Sequence, residues 1–249
     1  MTDTPVPQIF SRERRAARAQ RAMFRGQKTD SADWLNTEME SDCVERTEFM
    51  RLSPATAAIV GATSDELRNA LLQKKAKVTL GATHDEEHPS GWTDQDLIIS
   101  LNRLDTVNDL PGALLHYRHA LRDGGVFIAQ FLGAGSASTL RQILLEADGE
   151  RPAARLHPQI DSRAATSLLD RAGFKRQVVD SRTLPVSYRS FDQMIADLRD
   201  QALTNVLSDQ PPPFTKQMRA RALGAFEALR DAEGRVHERF EILTLTCWR

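Results

Sequence analysis

Cysteine is nearly missing from this chain: Cys43 and Cys247 stand alone, far apart and in no C-x-x-C pair. That removes a disulfide scaffold and a zinc knuckle, and it points to a reducing cytoplasm. Net charge is missing too, since 33 Lys and Arg face 34 Asp and Glu. Nothing global attracts nucleic acid, and none is expected as a partner. No apolar run approaches the roughly 18 residues of a membrane span, and no h-region follows the N-terminus. Neither membrane insertion nor secretion is expected. Internal repeats are absent, which excludes solenoids and propellers. Without a G-x-S-x-G elbow, a hydrolase reading has no anchor. Aromatics make up only 6%, and Trp34, Trp92 and Trp248 read as core or lid residues rather than base-stacking platforms.

What is present suits one α/β domain with an elaborated end: 249 residues, 41% of them apolar, can bury a real core. Charge is balanced in total but not locally. From Phe10 to Lys28 seven basic residues (Arg12, Arg14, Arg15, Arg18, Arg21, Arg25 and Lys28) oppose Glu13 alone. From Thr29 to Met50 seven acids oppose Arg46 alone. The two segments could neutralise one another if they pack together. An anionic partner or a mitochondrial presequence also fits the basic stretch, but an ordinary solvated helix face is the simpler reading.

Residues 8–26 predict a helix with Ser11 as N-cap, Gly26 as stop, and Ile9, Ala16, Ala19 and Met23 along one side. Residues 31–51 predict a second helix or helix pair anchored by Trp34, Leu35, Val44, Phe49 and Met50. Ala55–Val60 reads as a short buried strand, followed by Gly61 and a helix opened by Ser64-Asp65-Glu66 and closed by Lys74, Lys75 and Lys77. Val78–Gly81 is a brief strand, Thr83–Gln95 a polar turn region, and Asp96–Ser100 a firmer strand. Asn108 or Asp109 caps a helix with Pro111 in its first turn, stopped by Asp123-Gly124-Gly125. Val126–Phe131 follows as a strand of the kind buried on both faces. Ser162–Ala172 is a further helix stopped by Gly173, and Phe174–Tyr188 is extended. Helices at about 191–207 and 214–231 flank Pro211–Pro213, and Phe240–Trp248 closes as a strand. The division expected is a helical segment at residues 1–52 packing on an α/β domain at 53–249 that carries a helical insertion at about 190–231.

From Asp96 onward the chain resembles a branch of the class I S-adenosylmethionine-dependent methyltransferases. That branch contains the assembly factor 5 proteins of respiratory complex I, with the malonyl-carrier-protein O-methyltransferases of biotin synthesis related to it. The pieces that carry the likeness include Asp96–Ser100, Val107–Pro111, Leu121–Ile128, His157–Ile160, Ala172–Phe174, Asp197–Arg199, Thr204-Asn205, Gly234–Val236 and Thr246–Arg249 in that order. Asp33-Trp34-Leu35 adds to them. The resemblance implies a Rossmann-like α/β sheet of about six to seven strands, the last antiparallel, with helices on both faces.

The likeness weakens where cofactor chemistry belongs. The family's first strand runs into an acid-x-Gly-x-Gly turn, whereas here Ile59-Val60-Gly61-Ala62-Thr63 keeps only the first glycine. The stretch from Gly61 to Asp96 is also short for two strand–helix units, so one unit is expected to be truncated. No secure ribose-binding acid remains, and Asp105-Thr106 stands where relatives commonly carry a His-Trp pair. By resemblance, Gly61, Asp85 and Ser100 are the candidate cofactor-binding residues for S-adenosylmethionine. Tyr188 and Asn205 are the candidates facing a protein or small-molecule acceptor, against structural roles as a strand end and a helix cap. No catalytic residue is assigned. His84 and His88 are four apart, but Asp85 breaks the zincin pattern and Pro89 favours a turn, so no metal site is expected. Gly133–Ser138 lacks the lysine of a phosphate loop and reads as a flexible strand exit.

Two functions compete. One is a methyltransferase-family enzyme, for which the complex I branch implies action on an arginine of a complex I subunit. The other is a catalytically inactive relative that binds a partner during assembly. The compartment expected is the cytoplasm, or the mitochondrial matrix in a eukaryote.

Overall fold

Alternation of apolar residues on both faces of three consecutive strands sets the architecture. In the computed structural model, residues 7–27, 30–61, 64–82 and 84–249 are described. The strands are β1 (Thr56–Val60), β2 (Lys77–Leu80), β3 (Gln95–Leu101), β4 (Leu121–Leu132), β5 (Lys175–Tyr188) and β6 (Val236–Trp248). They form one sheet in the order β2-β1-β3-β4-β6-β5. The first four are parallel, and β6 enters antiparallel to both β4 and β5, with Ile128 opposite Thr246 and Leu184 opposite Phe240.

One set of alternate residues, Ala58, Val60, Ile98, Phe127 and Ala129, packs against α4 (Leu110–Ala120) and α6 (Ser162–Arg171). The other set, Ala57, Ile59, Leu97, Ile99 and Ile128, packs against α2 (Trp34–Phe49) and α3 (Asp65–Gln73). This is the two-faced burial of a parallel sheet. A third cluster joins α5 (Ser138–Asp148), α7 (Phe191–Asp200) and α8 (Lys216–Ala228) around Tyr188, Val236 and Phe240.

The caps follow the sequence signals. Ser11 accepts from Arg14 N at the start of α1 (Arg12–Arg25), and Asp109 accepts from Gly112 N at 2.9 Å. Helix α4 ends at Ala120, three residues before the expected stop, because Leu121 is already paired with Gln95 in the sheet. Helix α7 stops at Asp200 rather than near 207, and α5 has no counterpart in the sequence reading. The Gly133–Ser138 stretch is tied down rather than loose: Gly133 N donates to Glu241 O, Ala134 N to Ile160 O and Ala137 N to Arg239 O.

Three expectations fail on side-chain direction. Phe49, read as an anchor, is 90% exposed, and α2 instead buries Leu35, Met39 and Cys43. In α1 the apolar side faces out, with Met23 69% exposed, while Arg18 is the helix's buried residue. Among the described residues, no ion pair joins the basic and acidic segments. Arg46 of α2 pairs with Asp42 and Asp180, and the arginines of α1 go elsewhere.

The truncated unit is the one after β2. Between Leu80 and Gln95 the described residues form no helix or strand, so β2 is left as the sheet edge.

Candidate functional site

The parallel strands reverse direction of winding around β1, which places a crevice at the carboxyl ends of β1 and β3. Gly61 ends β1 with φ of +111°, and Ser100 lies opposite Val60 on β3. A side chain at Gly61 would collide with the Leu101 carbonyl oxygen and approach Arg103 Cγ to 3.3 Å. The close approach that glycine permits is therefore taken by the chain itself. The Thr63 position lies outside the described residues.

The N-terminus of α3, which in such folds attracts a ligand's negative charge, faces a carboxylate of this chain. Ser64 N donates to Glu40 Oε1 at 2.6 Å and Ser64 Oγ donates to Glu40 Oε2 at 2.7 Å, with Glu40 fully buried on α2. On the other side, Gly81 ends the neighbourhood of β2, and the Trp92 ring lies 2.5 Å from where a Cβ at Gly81 would be. Trp92 thus covers the place where a ribose-holding acid would stand.

Glu86 closes the centre. It is fully buried, its Oε1 accepts from Arg103 Nε at 2.5 Å, and its Oε2 accepts from Arg15 Nη2 at 2.9 Å. Arg103 also donates to His84 O at 2.8 Å. Burial works against the Arg103 charge, but Glu86 outweighs it and holds that guanidinium above its usual range. Glu86 belongs to the turn in which Asp85 is the candidate. Asp85 itself points outward and pairs with His88 at 2.8 Å. Ser100 Oγ and Tyr117 OH are buried beside one another, and burial together with Glu86 raises the Tyr117 phenol, an effect that Ser100 offsets in part.

Helix α1 lies across this crevice with Arg15 and Arg18 directed into it. Arg15 Nε and Arg18 Nη2 both donate to Thr106 Oγ1 at 3.2 Å. Arg18 also donates to Thr204 O, and Arg14 to Leu207 O and Asn205 O. Arg12 pairs with Glu87 and Arg25 with Asp200. Burial lowers Arg18 to about 10, despite Asp105 nearby, and holds the Asp105 carboxyl above its ordinary range. The solvated-face reading of the basic helix is corrected for Arg14, Arg15 and Arg18, whose guanidinium groups reach carbonyls and carboxylates that no apolar side chain could satisfy, while Arg12 and Arg21 stay exposed.

The acceptor candidates do not meet at this crevice. Tyr188 ends β5 within the α5–α7–α8 cluster, its hydroxyl buried and its acidity weakened by burial, Asp197 and Glu238. Asn205 braces a loop, donating to Ala154 O and Arg155 O and accepting from Leu207 N. A cavity of about 50 Å³ is lined by Asp105, His157, Leu198 and Phe240, and neither Tyr188 nor Asn205 lines it. His157 Nε2 accepts from Val206 N at 2.8 Å, and burial, Arg18 and Arg14 lower its pKa to about 3. Among the described residues no group of three or more His, Cys, Asp or Glu is placed to hold a metal ion, and no helix is long and apolar enough to cross a membrane.

Among the described residues, the positions at which this fold holds an adenosyl group do not fit one. Its glycine cradle, its helix N-terminus and its ribose wall are occupied respectively by Leu101 with Arg103, by Glu40 and by Trp92. Arg103 is not singled out by the sequence, Arg15 reads only as part of the basic stretch and Glu86 only as part of the acidic stretch around Asp85, so the closure that the three form escapes the sequence reading. The available signal was the spacing of Arg12, Arg15 and Arg18 on one helix face.

No protein-family model matches the chain. Among curated proteins it is 29% identical over 177 residues to human "Arginine-hydroxylase NDUFAF5, mitochondrial", covering 69% of this chain and 51% of that protein. It is 27% identical over 154 residues to a malonyl-[acyl-carrier protein] O-methyltransferase of Xylella fastidiosa, covering 61% and 51%. The chain thus spans about half the length of the curated relatives it matches. Among solved structures it superposes with a TM-score of 0.51 on the 1,6-didemethyltoxoflavin-N1-methyltransferase of Burkholderia thailandensis. That match has 14% identity and covers 100% of this chain and 94% of the other, whose structure holds S-adenosylhomocysteine. The YcgJ protein of Bacillus subtilis also matches with a TM-score of 0.51, at 9% identity over 86% and 98%. These likenesses establish the fold.

Proposed function

We propose that this chain, which shares the fold of class I methyltransferases and closes its cofactor crevice with its own side chains, is a non-catalytic descendant of that superfamily that acts as a binding factor. The observation that carries this reading is the Arg103–Glu86 pair against Gly61. Admitting an adenosyl group there requires breaking a buried ion pair, which costs about 3–5 kcal/mol. That is roughly two to three and a half decades of affinity, enough to weaken a micromolar site to between about 0.1 mM and a few millimolar. Loss of the strand–helix unit after β2 and the absence of an acid at its end act in the same direction.

Similarity to the NDUFAF5 proteins supports a protein partner, and respiratory complex I assembly is the setting we propose for it. The fold outside the crevice, with β6 inserted and the α5–α7–α8 cluster intact, supplies the surface for such binding. The cytoplasm, or the mitochondrial matrix in a eukaryote, is the compartment proposed. Methyl-tritiated S-adenosylmethionine incubated with the full chain and a lysate tests the reading. No chain-dependent label is expected in protein or small molecules. Label that depends on the chain restores the transferase reading drawn from the relatives' names.

A further inference from the structure

Helix α1 is attached to the fold in a manner unlike that of the other helices described. The others bury leucine, phenylalanine, methionine or alanine, whereas α1 buries Arg18 and turns Met23 and Phe24 to solvent. Its attachment is a series of guanidinium contacts that run along the crevice from Glu87, through Glu86 and Thr106, to the carbonyls of residues 204–207 and on to Asp200. Such contacts are directional and form together, because each needs the helix in the same register. Among the described residues, the buried apolar cluster at this end is Phe10, just before the helix, with Val206 and Leu207.

We propose that α1 is a charge-latched strap that closes the crevice mouth and opens as one unit while the sheet stays folded. This rests on the reading that the crevice is filled by the chain's own residues, and it goes further by assigning the filling to two separable layers. Arg103, Leu101 and Gly61 belong to the sheet core and remain when the strap leaves. Arg15 and Arg18 leave with it. The layer beneath then exposes Glu86, Asp105 and the 204–207 loop, together with the cavity lined by Asp105 and His157. Any partner that reaches the crevice has to compete with α1 for those groups. Asp105 Oδ1 and Arg18 Nε, both buried without a hydrogen-bond partner, mark the seam along which the strap parts. Regions with few apolar contacts are those that open locally, below the free energy of global unfolding.

Hydrogen exchange on the full chain, read by mass spectrometry, tests this without any cofactor. In the double variant Arg15→Met and Arg18→Met, which keeps side-chain length and removes charge, amides of α1 are expected to exchange at least about tenfold faster, with α4 unchanged. Unchanged exchange in α1 overturns the proposal, because length and packing would then suffice to hold the helix. A second variant guards against general destabilisation. Phe10 and Leu207 form a non-hydrogen-bonded antiparallel pair, the geometry that accepts a cross-strand disulfide. Oxidising Phe10→Cys/Leu207→Cys is expected to slow exchange in α1 relative to the reduced form while α4 stays the same. Equal slowing in both helices shows that α1 opens only by global unfolding, and that result also overturns the proposal. Binding of S-adenosylmethionine to the full chain would sink the non-catalytic reading and leave this readout intact.

Discussion

Replacing Glu86 with alanine removes the carboxylate that Arg15 and Arg103 share. Two guanidinium groups are then left beside one another, with their common partner gone. Each hydrogen bond to a charged group contributes about 1.5–3 kcal/mol, and breaking a buried pair costs about 3–5 kcal/mol. The Arg15 and Arg103 side chains are 11% and 20% exposed, so water reaches them and the lower part of that range applies, about 3 kcal/mol. For a chain of this size one kcal/mol shifts Tm by roughly 2–4 °C, so the variant is expected to melt about 6–12 °C lower. Glu86→Gln retains an oxygen that accepts one of the two bonds, and about half the loss is expected. Thermal unfolding followed by near-ultraviolet circular dichroism at neutral pH reads both. An alanine variant that melts within about 2 °C of wild type refutes the reasoning, because Glu86 would then not be the centre of the closure.

Gly61→Ala is expected to destabilise by about 3 kcal/mol in urea unfolding, since it combines a left-handed φ with a collision against the Leu101 carbonyl; a neutral result removes the self-filled cradle. Gly81→Ala drives the Trp92 ring from its seat, so a red-shifted tryptophan emission is expected, and an unshifted spectrum argues against that contact. His157 has a folded pKa of about 3, far below its ordinary value, so the unfolded chain takes up a proton as pH falls through about 6.5 while the folded chain does not. Stability from this group is therefore present above that value and declines as pH drops toward 3, by up to about 1.4 kcal/mol per pH unit. His157→Gln keeps an acceptor for Val206 N and is expected to flatten that slope in urea titrations between pH 4 and 7, only in part because His84 is also lowered by burial. An unchanged slope contradicts the neutral, buried assignment.

The core of the fold was legible because its signals are local and periodic. Asp109 and Pro111 predicted α4, and the apolar run Val126–Phe131 predicted the central strand. Gly173 marked the end of α6 with φ of +78°. Helix α5 escaped because its N-cap position, Ala137, carries no capping side chain and sits in the left-handed region. Helix α1 was recognised as a helix but assigned the wrong inward face, since a burial argument built on hydrophobicity cannot foresee a crevice lined with carbonyls and carboxylates. That same blind spot hid the site. Gly61 and Ser100 were placed at neighbouring strand ends by the resemblance, and they do lie there. What lies against Gly61 comes from Arg103, held through Glu86 to Arg15, and these three are distant in sequence from one another, so no spacing rule links them before the chain folds.

Calorimetric titration of the full chain with S-adenosylmethionine and S-adenosylhomocysteine tests the central claim most directly. With Arg103 on Glu86, Glu40 at the α3 N-terminus and Trp92 over Gly81, no heat of binding is expected up to about millimolar ligand. A saturable isotherm with a micromolar dissociation constant for either ligand contradicts it.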